Sequence, residues 1–161
     1  MKMMSVQWVD VSEIEKIVPL FDAYRQFYEK PSDVGLSRAI LSARMSQQQS
    51  KVILATDDAG VALGFIQLYP LFSSLSMSLE ASKVWLLNDL FVSPQARGMG
   101  VGAALLEFAQ DWSAAEGLGY LMLETAKSNT TAQRLYESQG WQRDEVYYTY
   151  YHTHEESGAQ A

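Results

Sequence analysis

The pattern of apolar and polar positions is clearest in the middle of the chain. Residues 85–92 are almost continuously apolar, apart from the pair Asn88-Asp89, which is typical of a strand buried on both faces. Pro94 ends this strand because proline cannot donate to a sheet ladder. After a glycine-rich stretch, apolar residues recur at helical spacing over residues 101–115. The pattern predicts a strand, a turn and a helix in succession.

Two helices are predicted near the start of the chain. Ser12 and Glu15 form a capping-box pattern, and Pro19 is expected to kink the helix that follows or to mark a new start within it. Ser32 or Asp33 then caps a second helix.

The other apolar segments predict the strands of a mixed sheet. Three consecutive strands form an antiparallel meander, and the next strand runs parallel to the third because a long helix joins them. A short helix, capped by Asn129 or Thr130, precedes a last strand that closes the sheet. The predicted strands are residues 5–9, 51–56, 61–72, 85–92, 119–125 and 141–152.

Length and composition indicate the class of protein. With 161 residues, of which 48% are hydrophobic, the chain is expected to form one domain over residues 1–154, followed by a disordered tail at residues 155–161. No window approaches the ~20 apolar residues of a membrane span, and residues 1–5 lack the apolar core of a signal peptide. We therefore expect a cytoplasmic protein that does not bind membranes.

Charge and cysteine content exclude several kinds of chemistry. The net charge of -7 argues against nucleic-acid binding, which normally needs a basic face, and it mildly favours a cationic substrate. The absence of cysteine excludes disulfides, thiolate metal sites and a cysteine nucleophile. His152 and His154, with Glu155 and Glu156, resemble a metal cluster only superficially, so no metal is expected.

The turn after the central strand carries the first candidate chemistry. Its glycines leave the first amides of the following helix open, and the helix dipole adds partial positive charge, so the turn is a candidate phosphate cradle. The alternative is that the glycines only permit a tight turn and close packing. A dinucleotide fingerprint, Gly98-x-Gly100-x-x-Ala103 with Glu124 as the ribose-binding acid, is rejected. Residues 93–97 separate its first glycine from the strand, and too little chain follows Glu124.

Two motifs decide between these interpretations: Arg97-x-x-Gly100-x-Gly102 and Asn129…Leu135-Tyr136-Glu137…Gly140-Trp141. Together with the preceding strand, they resemble the GNAT family of acetyl-CoA-dependent N-acetyltransferases. The resemblance implies an α+β fold, in which a central mixed and mostly antiparallel sheet carries helices on both faces. Within the family, residues 22–33 and 64–70 look most like the branch that acetylates small amines and basic peptide amines.

The resemblance implies acetyl-CoA as the cofactor and indicates where it binds. In this family the central strand and the next parallel strand splay apart, and the pantetheine arm lies in the gap. Backbone groups of the central strand would bind the arm, and amides of the turn would hold the pyrophosphate. Asn129 would bond the arm or help to position Tyr136, unless it only caps its helix. The implied cofactor-binding residues are Leu90, Phe91, Val92, Arg97, Gly98, Met99, Gly100, Val101, Gly102 and Asn129.

Catalytic groups are implied in the same way. Tyr136 would protonate the departing thiolate, unless it only packs under the sheet. In the polyamine-acetylating relatives a glutamate stands where this chain has Asn88, and asparagine cannot accept the proton of the amine. Asp89 is therefore the favoured base, with Glu124 or a water relay as alternatives. Asn88 and Asp89 face opposite ways along a regular strand, so both reach one site only if a bulge intervenes.

The implied function is transfer of an acetyl group from acetyl-CoA to a primary amine of a small molecule, polyamine-like or amino-acid-like, by direct attack in a ternary complex. Tyr24, Tyr28 and Tyr69 would line the substrate wall. The alternatives are acetylation of a protein lysine or N-terminus, and a non-catalytic acyl-CoA-binding module. A homodimer is expected because the aromatic C-terminal strand is suited to pairing across a two-fold axis.

Overall fold

The computed structural model describes residues 3–155, which form a five-stranded sheet and four α-helices. The elements in chain order are β1 (Met4–Val9), a 3-10 helix (Val11–Lys16), α1 (Val18–Phe27), α2 (Val34–Ser46), β2 (Lys51–Asp57), β3 (Ala62–Phe72), β4 (Lys83–Val92), a 3-10 turn (Pro94–Ala96), α3 (Val101–Ala115), β5 (Tyr120–Met122) and α4 (Thr130–Ser138). None of these helices is long and apolar enough to cross a membrane. The tail expected at residues 155–161 lies outside the described residues, except for Glu155.

The strands lie side by side in the order in which the chain forms them. β1 to β4 pair antiparallel, and β5 pairs parallel to β4, as the sequence predicts. The parallel arrangement follows from α3, which carries the chain back along the sheet between these two strands. β5 covers only Tyr120–Met122, although residues 119–125 were expected to be a strand.

Helices cover both faces of the sheet, and each face has its own hydrophobic core. α1 and α2 pack over the face that carries Phe65 and Phe91. α3 packs over the opposite face, against Ile66 and Leu68. The division arises because successive residues of a strand point to opposite faces. This arrangement confirms the predicted α+β fold.

The N-terminal capping box lies two residues earlier than the sequence suggests. Asp10 caps the 3-10 helix, and Glu13 completes the box by accepting from the backbone N–H of Asp10. Ser12 donates its hydroxyl to Asp10 at 2.8 Å, and Glu15 pairs with Arg38 of α2. The predicted Ser12–Glu15 box is therefore wrong, because both side chains have other partners.

The starts of α1 and α2 decide two alternatives that the sequence left open. Pro19 lies in the first turn of α1, where its missing N–H leaves no hydrogen bond unmade, so it marks a helix start. Asp33 caps α2 by accepting from the backbone N–H of Leu36 at 2.9 Å. Ser32 instead donates to Asp22 of α1 at 2.6 Å.

The predicted closing strand is not formed. Residues 141–155 have no strand assignment, and Val146, Tyr147, Tyr148 and Tyr150 are between 78% and 88% exposed. Aromatic and β-branched residues favour a strand only when a partner edge and a surface to pack on are present. Within residues 3–155 this segment pairs with no strand and most of its side chains are exposed, so its strand propensity is not expressed.

Candidate functional site

A gap opens between β4 and β5, the last two strands of the sheet. Pairing of the two strands stops at Leu86, opposite Met122, whereas β4 continues to Val92. Beyond Leu86, the edge of β4 that faces away from β3 has no strand partner among the described residues. Backbone groups alternate between the two edges of a strand, so those of Leu90 and Val92 face this free edge, whereas the carbonyl of Phe91 lies beside Gly64 of β3. Apart from the Val92 carbonyl, which accepts from Arg97, the backbone groups at the free edge are available to an extended ligand, as at other open sheet edges.

The glycine-rich turn follows directly at the end of this edge. Gly98 and Gly100 have φ angles of +77° and +81°, a left-handed conformation that side chains with a Cβ rarely adopt. A Cβ at either position would have no neighbour within 4 Å, so this side of the turn is open. Gly100 directly precedes Val101, the first residue of α3, and no side chain caps the helix. These open amides at the positive end of a helix fit the diphosphate of coenzyme A.

Other residues of the turn have more specific contacts. Met99 is half exposed, and a Cβ on Gly102 would lie 3.1 Å from Leu135, so this glycine lets α3 approach α4 closely. Arg97 donates from Nε to the carbonyl of Val92 at 3.2 Å. Its guanidinium lies over the rings of Phe27 and Phe91, at 5.4 and 5.8 Å from their centroids.

A bulge in β4 sets the direction of its polar side chains. Gln67 of β3 lies opposite Asp89, but the next residue, Leu68, lies opposite Leu87, which leaves Asn88 as the extra residue. The bulge lets these two neighbouring side chains approach each other, and Asn88 donates to Asp89 at 3.0 Å.

Asp89 is a buried carboxylate with neutral hydrogen-bond partners. It is 5% exposed and accepts from Tyr24 at 2.8 Å, Gln67 at 2.7 Å and Asn88 at 3.0 Å. None of the ion pairs among residues 3–155 includes it. Burial raises the pKa of Asp89, and the three hydrogen bonds oppose that rise. The site therefore has an uncompensated acidic group.

Tyrosines from α1 and β3 lie near this carboxylate. The Tyr24 ring lies 5.1 Å from that of Tyr28, and its hydroxyl binds Asp89. Burial, and then the charge of Asp89, raise the pKa of Tyr69 to about 12. Tyr136 of α4 is half buried. Its burial is the main cause that raises its pKa, and the nearby Tyr28 is the second cause. Asp89, Tyr24, Tyr28 and Tyr69 are called the Asp89 cluster below, whereas Tyr136 packs against the core on the α3 face of the sheet.

Two predicted site residues have contacts outside the cluster. Glu124 accepts from the hydroxyl of Tyr151 at 3.1 Å and is exposed. Asn129 caps α4 by accepting from the backbone N–H of Ala132 at 3.1 Å, which confirms its predicted capping role.

Two residues of structural importance near the site were not identified from the sequence. Gln67 is fully buried. The one feature of the sequence that could have identified it is that it is the only polar side chain in the first half of β3. Asp22 is 4% exposed and accepts from Ser32, Ser37, Gln26 and the backbone of Asp33. These bonds lower the pKa of Asp22 to about 2, with the Ser32 hydroxyl as the largest cause. Asp22 thus fixes the connection between α1 and α2 beside the cluster.

Known proteins resemble this chain over most of its length. The family model described as Acetyltransferase (GNAT) family matches residues 17–141. The uncharacterized N-acetyltransferase YhfO of Bacillus subtilis is 41% identical over 141 residues, which cover 88% of this chain and 91% of that protein. A crystal structure of a probable acetyltransferase is 33% identical with a TM-score of 0.86, and the match covers 94% of this chain and 99% of that one. An aminoglycoside N-acetyltransferase in complex with CoA has the same fold, with 21% identity, a TM-score of 0.73, and coverage of 94% and 96%.

Proposed function

Because the chain belongs to the GNAT acetyltransferase family and is an acetyl-CoA-dependent acyltransferase, we propose that it acetylates a primary amine of a small molecule. The observation that carries this proposal is the Asp89 cluster, in which a buried carboxylate has only neutral partners. A protonated amine supplies the missing positive charge. The tyrosine rings around it favour a cation of modest size through cation–π attraction.

The cofactor is proposed to lie along the free edge of β4 with its diphosphate on the turn. Backbone groups of Leu90 and Val92 would bind the pantetheine arm, and Asn129 lies at the start of the neighbouring helix α4. The residues proposed to hold the diphosphate are Arg97, Gly98, Met99, Gly100, Val101 and Gly102. Bound acetyl-CoA supplies the acetyl group as a reactive thioester. The structure of an aminoglycoside N-acetyltransferase with CoA supports this use of the shared fold.

Asp89 is proposed to accept the proton that the amine must lose. The amine nitrogen then forms a bond to the acetyl carbon, the carbon–sulfur bond breaks, and the sulfur gains a proton. Asn88 has no basic group, so it serves as a donor to Asp89. Glu124 is a weaker candidate for the base because it is exposed and bonded to Tyr151.

Tyr136 is proposed to donate the proton to the departing sulfur. Burial raises its pKa, so the hydroxyl stays protonated at neutral pH and is always available as a donor. The ordinary pKa values of a thiol and a phenol are about 8.5 and 10, so this transfer is uphill, and the burial that raises the pKa of Tyr136 makes it more so. Tyr24, Tyr28 and Tyr69 are proposed to line the wall of the amine site.

A homodimer is proposed to cover the exposed apolar segments. The C-terminal segment, residues 146–151, carries four side chains that are at least 78% exposed, and Leu75 and Met77 of the loop before β4 are 94% and 98% exposed. β5 has β4 on one side and no strand on the other among the described residues. A second copy can pair its C-terminal segment with such an edge. A cytoplasmic location stays a prediction from the sequence.

A panel of amines tests the proposed function. Release of free thiol from acetyl-CoA is followed with diamines, amino acids, aminoglycosides and lysine peptides. We expect turnover with at least one small primary amine and much slower turnover with the peptides. Coenzyme A binding without thiol release for any amine would instead indicate a non-catalytic acyl-CoA-binding module.

A further inference from the structure

Gln67 is a polar side chain in a fully apolar part of β3. Its exposed fraction is 0%, as are those of Ile66 and Leu68 beside it. Its Nε2 donates to Asp89, but its Oε1 has no hydrogen-bond partner among the described residues. A buried acceptor without a donor lowers stability. The packing of β3 therefore does not explain a glutamine here, whereas the contact with Asp89 does.

Asp89 is held from two sides by different elements. Tyr24 of α1 donates to Oδ1 at 2.8 Å, and Gln67 of β3 donates to Oδ2 at 2.7 Å. Asn88 adds a third hydrogen bond to Oδ1. Because all these groups are donors, they favour the ionised carboxylate over the protonated acid. Because all are neutral, they leave its negative charge uncancelled.

The titratable groups around Asp89 come from the elements packed against it. Burial raises the pKa of Tyr24 and of Tyr69, and the charge of Asp89 adds to both shifts. Arg44 of α2 lowers the pKa of Tyr69, but it forms no ion pair with Asp89 within residues 3–155. The tyrosines stay neutral at physiological pH, so hydrogen bonds are the main support for an ionised Asp89.

We propose that Gln67 and Tyr24 are positioning residues that keep Asp89 ionised and aimed at the amine, a role that rests on the proposed function. Gln67 locks one carboxylate oxygen and Tyr24 locks the other, so the carboxylate plane is fixed before the substrate arrives. The remaining lone pairs are then free to accept the proton of the amine. This pair of contacts keeps a base active although burial opposes its charge.

Gln67→Met tests this role because it removes the donor while keeping a similar volume. Burial already raises the pKa of Asp89, and the hydrogen bond from Gln67 is the largest opposing effect. Without it the pKa of Asp89 rises further. We expect the acid limb of the kcat/KM profile to move upward by about one pH unit. Acetyl-CoA affinity should not change.

Gln110→Met is the matched control. Gln110 is a half-buried glutamine of α3 that accepts from Trp141 at 2.8 Å, far from Asp89 in the fold. The same chemical change there should leave the acid limb in place. If Gln67→Met does not fold, Tyr24→Phe removes the other donor and keeps the ring, and it should move the limb in the same direction.

A carboxyl NMR titration of Asp89 in the substrate-free protein separates this role from the reaction itself. An increase in the pKa of Asp89 in Gln67→Met supports the role, even if no amine is ever acetylated. An unchanged pKa in both Gln67→Met and Tyr24→Phe would overturn it, even if the enzyme is fully active. An acid limb that moves equally in Gln110→Met would overturn it as well.

Discussion

Asp89, the residue proposed as the base, lowers the stability of the fold at neutral pH. Asp89 is buried, and its raised pKa means that the folded protein holds the carboxyl proton more tightly than the unfolded chain does. The free energy of unfolding therefore falls as the pH rises from the ordinary value of 3.8 through the folded pKa. At neutral pH the fold carries an ionised group that lowers its stability. A buried charge of this kind is consistent with the proposed role of Asp89 as the base.

Asp89→Asn is expected to separate these two effects. The substitution removes the buried charge, and the free Oε1 of Gln67 can turn to accept from the new amide. We expect kcat/KM to fall by about 100-fold or more, whereas Tm at pH 7 rises by about 2–4 °C. The gain in Tm should disappear towards pH 3.8, where the parent carboxyl is protonated. Melting curves between about pH 3.5 and 7.5 measure Tm, and initial rates measure kcat/KM. A variant that is less stable at pH 7 and equally active would contradict both roles.

Tyr136→Phe tests the proton donor. The variant keeps the ring that packs near Trp141, with centroids 6.1 Å apart, and removes only the hydroxyl. We expect kcat to fall by roughly 100-fold while the Kd for acetyl-CoA stays within about twofold. Steady-state rates and calorimetric binding measure the two quantities. Unchanged kcat would leave Tyr136 as a packing residue only.

Among the elements, β4 determines the geometry of the site. Its pairing with β5 ends early, which leaves the free edge that we propose for the pantetheine arm, and its bulge at Asn88 brings Asn88 within hydrogen-bond distance of Asp89. The sequence predicted the strand, its buried character and the turn after it, because these depend on local pattern. It did not predict the bulge, because register depends on the partner strand. Gln67 was missed for the same reason, since its role depends on the residue opposite to it in β4.

The connection between α1 and α2 depends on Asp22, and its stability should depend on pH. The pKa of Asp22 is lowered to about 2, so its contribution is fully present above the ordinary value of 3.8 and is lost as the pH falls towards 2. Asp22→Asn should therefore lower Tm at pH 7 by about 5 °C, and this difference should shrink as the pH falls below about 4. Thermal melts of both proteins across this range check the expectation. A difference that does not depend on pH would show that the charge of Asp22 is unimportant.

For the whole molecule, the sequence correctly predicted how the strands and helices are arranged, but it wrongly predicted a closing strand near the C-terminus. Short connections and the helix between β4 and β5 leave few topologies, so the meander, the parallel pair and the helices on both faces were all predicted. The segment at residues 146–151 has strong strand propensity and no strand partner among residues 3–155. Local propensity cannot reveal whether a partner edge exists in the same chain or in a second copy.

The proposed dimer can be tested through this segment. Tyr148 is 88% exposed, so Tyr148→Lys should change the stability of an isolated chain very little. In a dimer built on residues 146–151, the added charge would weaken the interface. We expect the parent to sediment at twice the chain mass of 18.1 kDa at about 20 μM, and the variant to sediment at 18.1 kDa. A parent protein that remains monomeric at this concentration would contradict the dimer.

A titration with coenzyme A followed by backbone amide NMR tests the proposed cofactor site. We expect one site per chain, with the largest shifts at the amides of Gly98, Gly100 and Gly102 and along residues 90–92. Smaller shifts should reach Asp89 and Tyr136, where the thiol end is expected to lie. Saturation without shifts in the turn, or shifts confined to another surface, would contradict the proposed site.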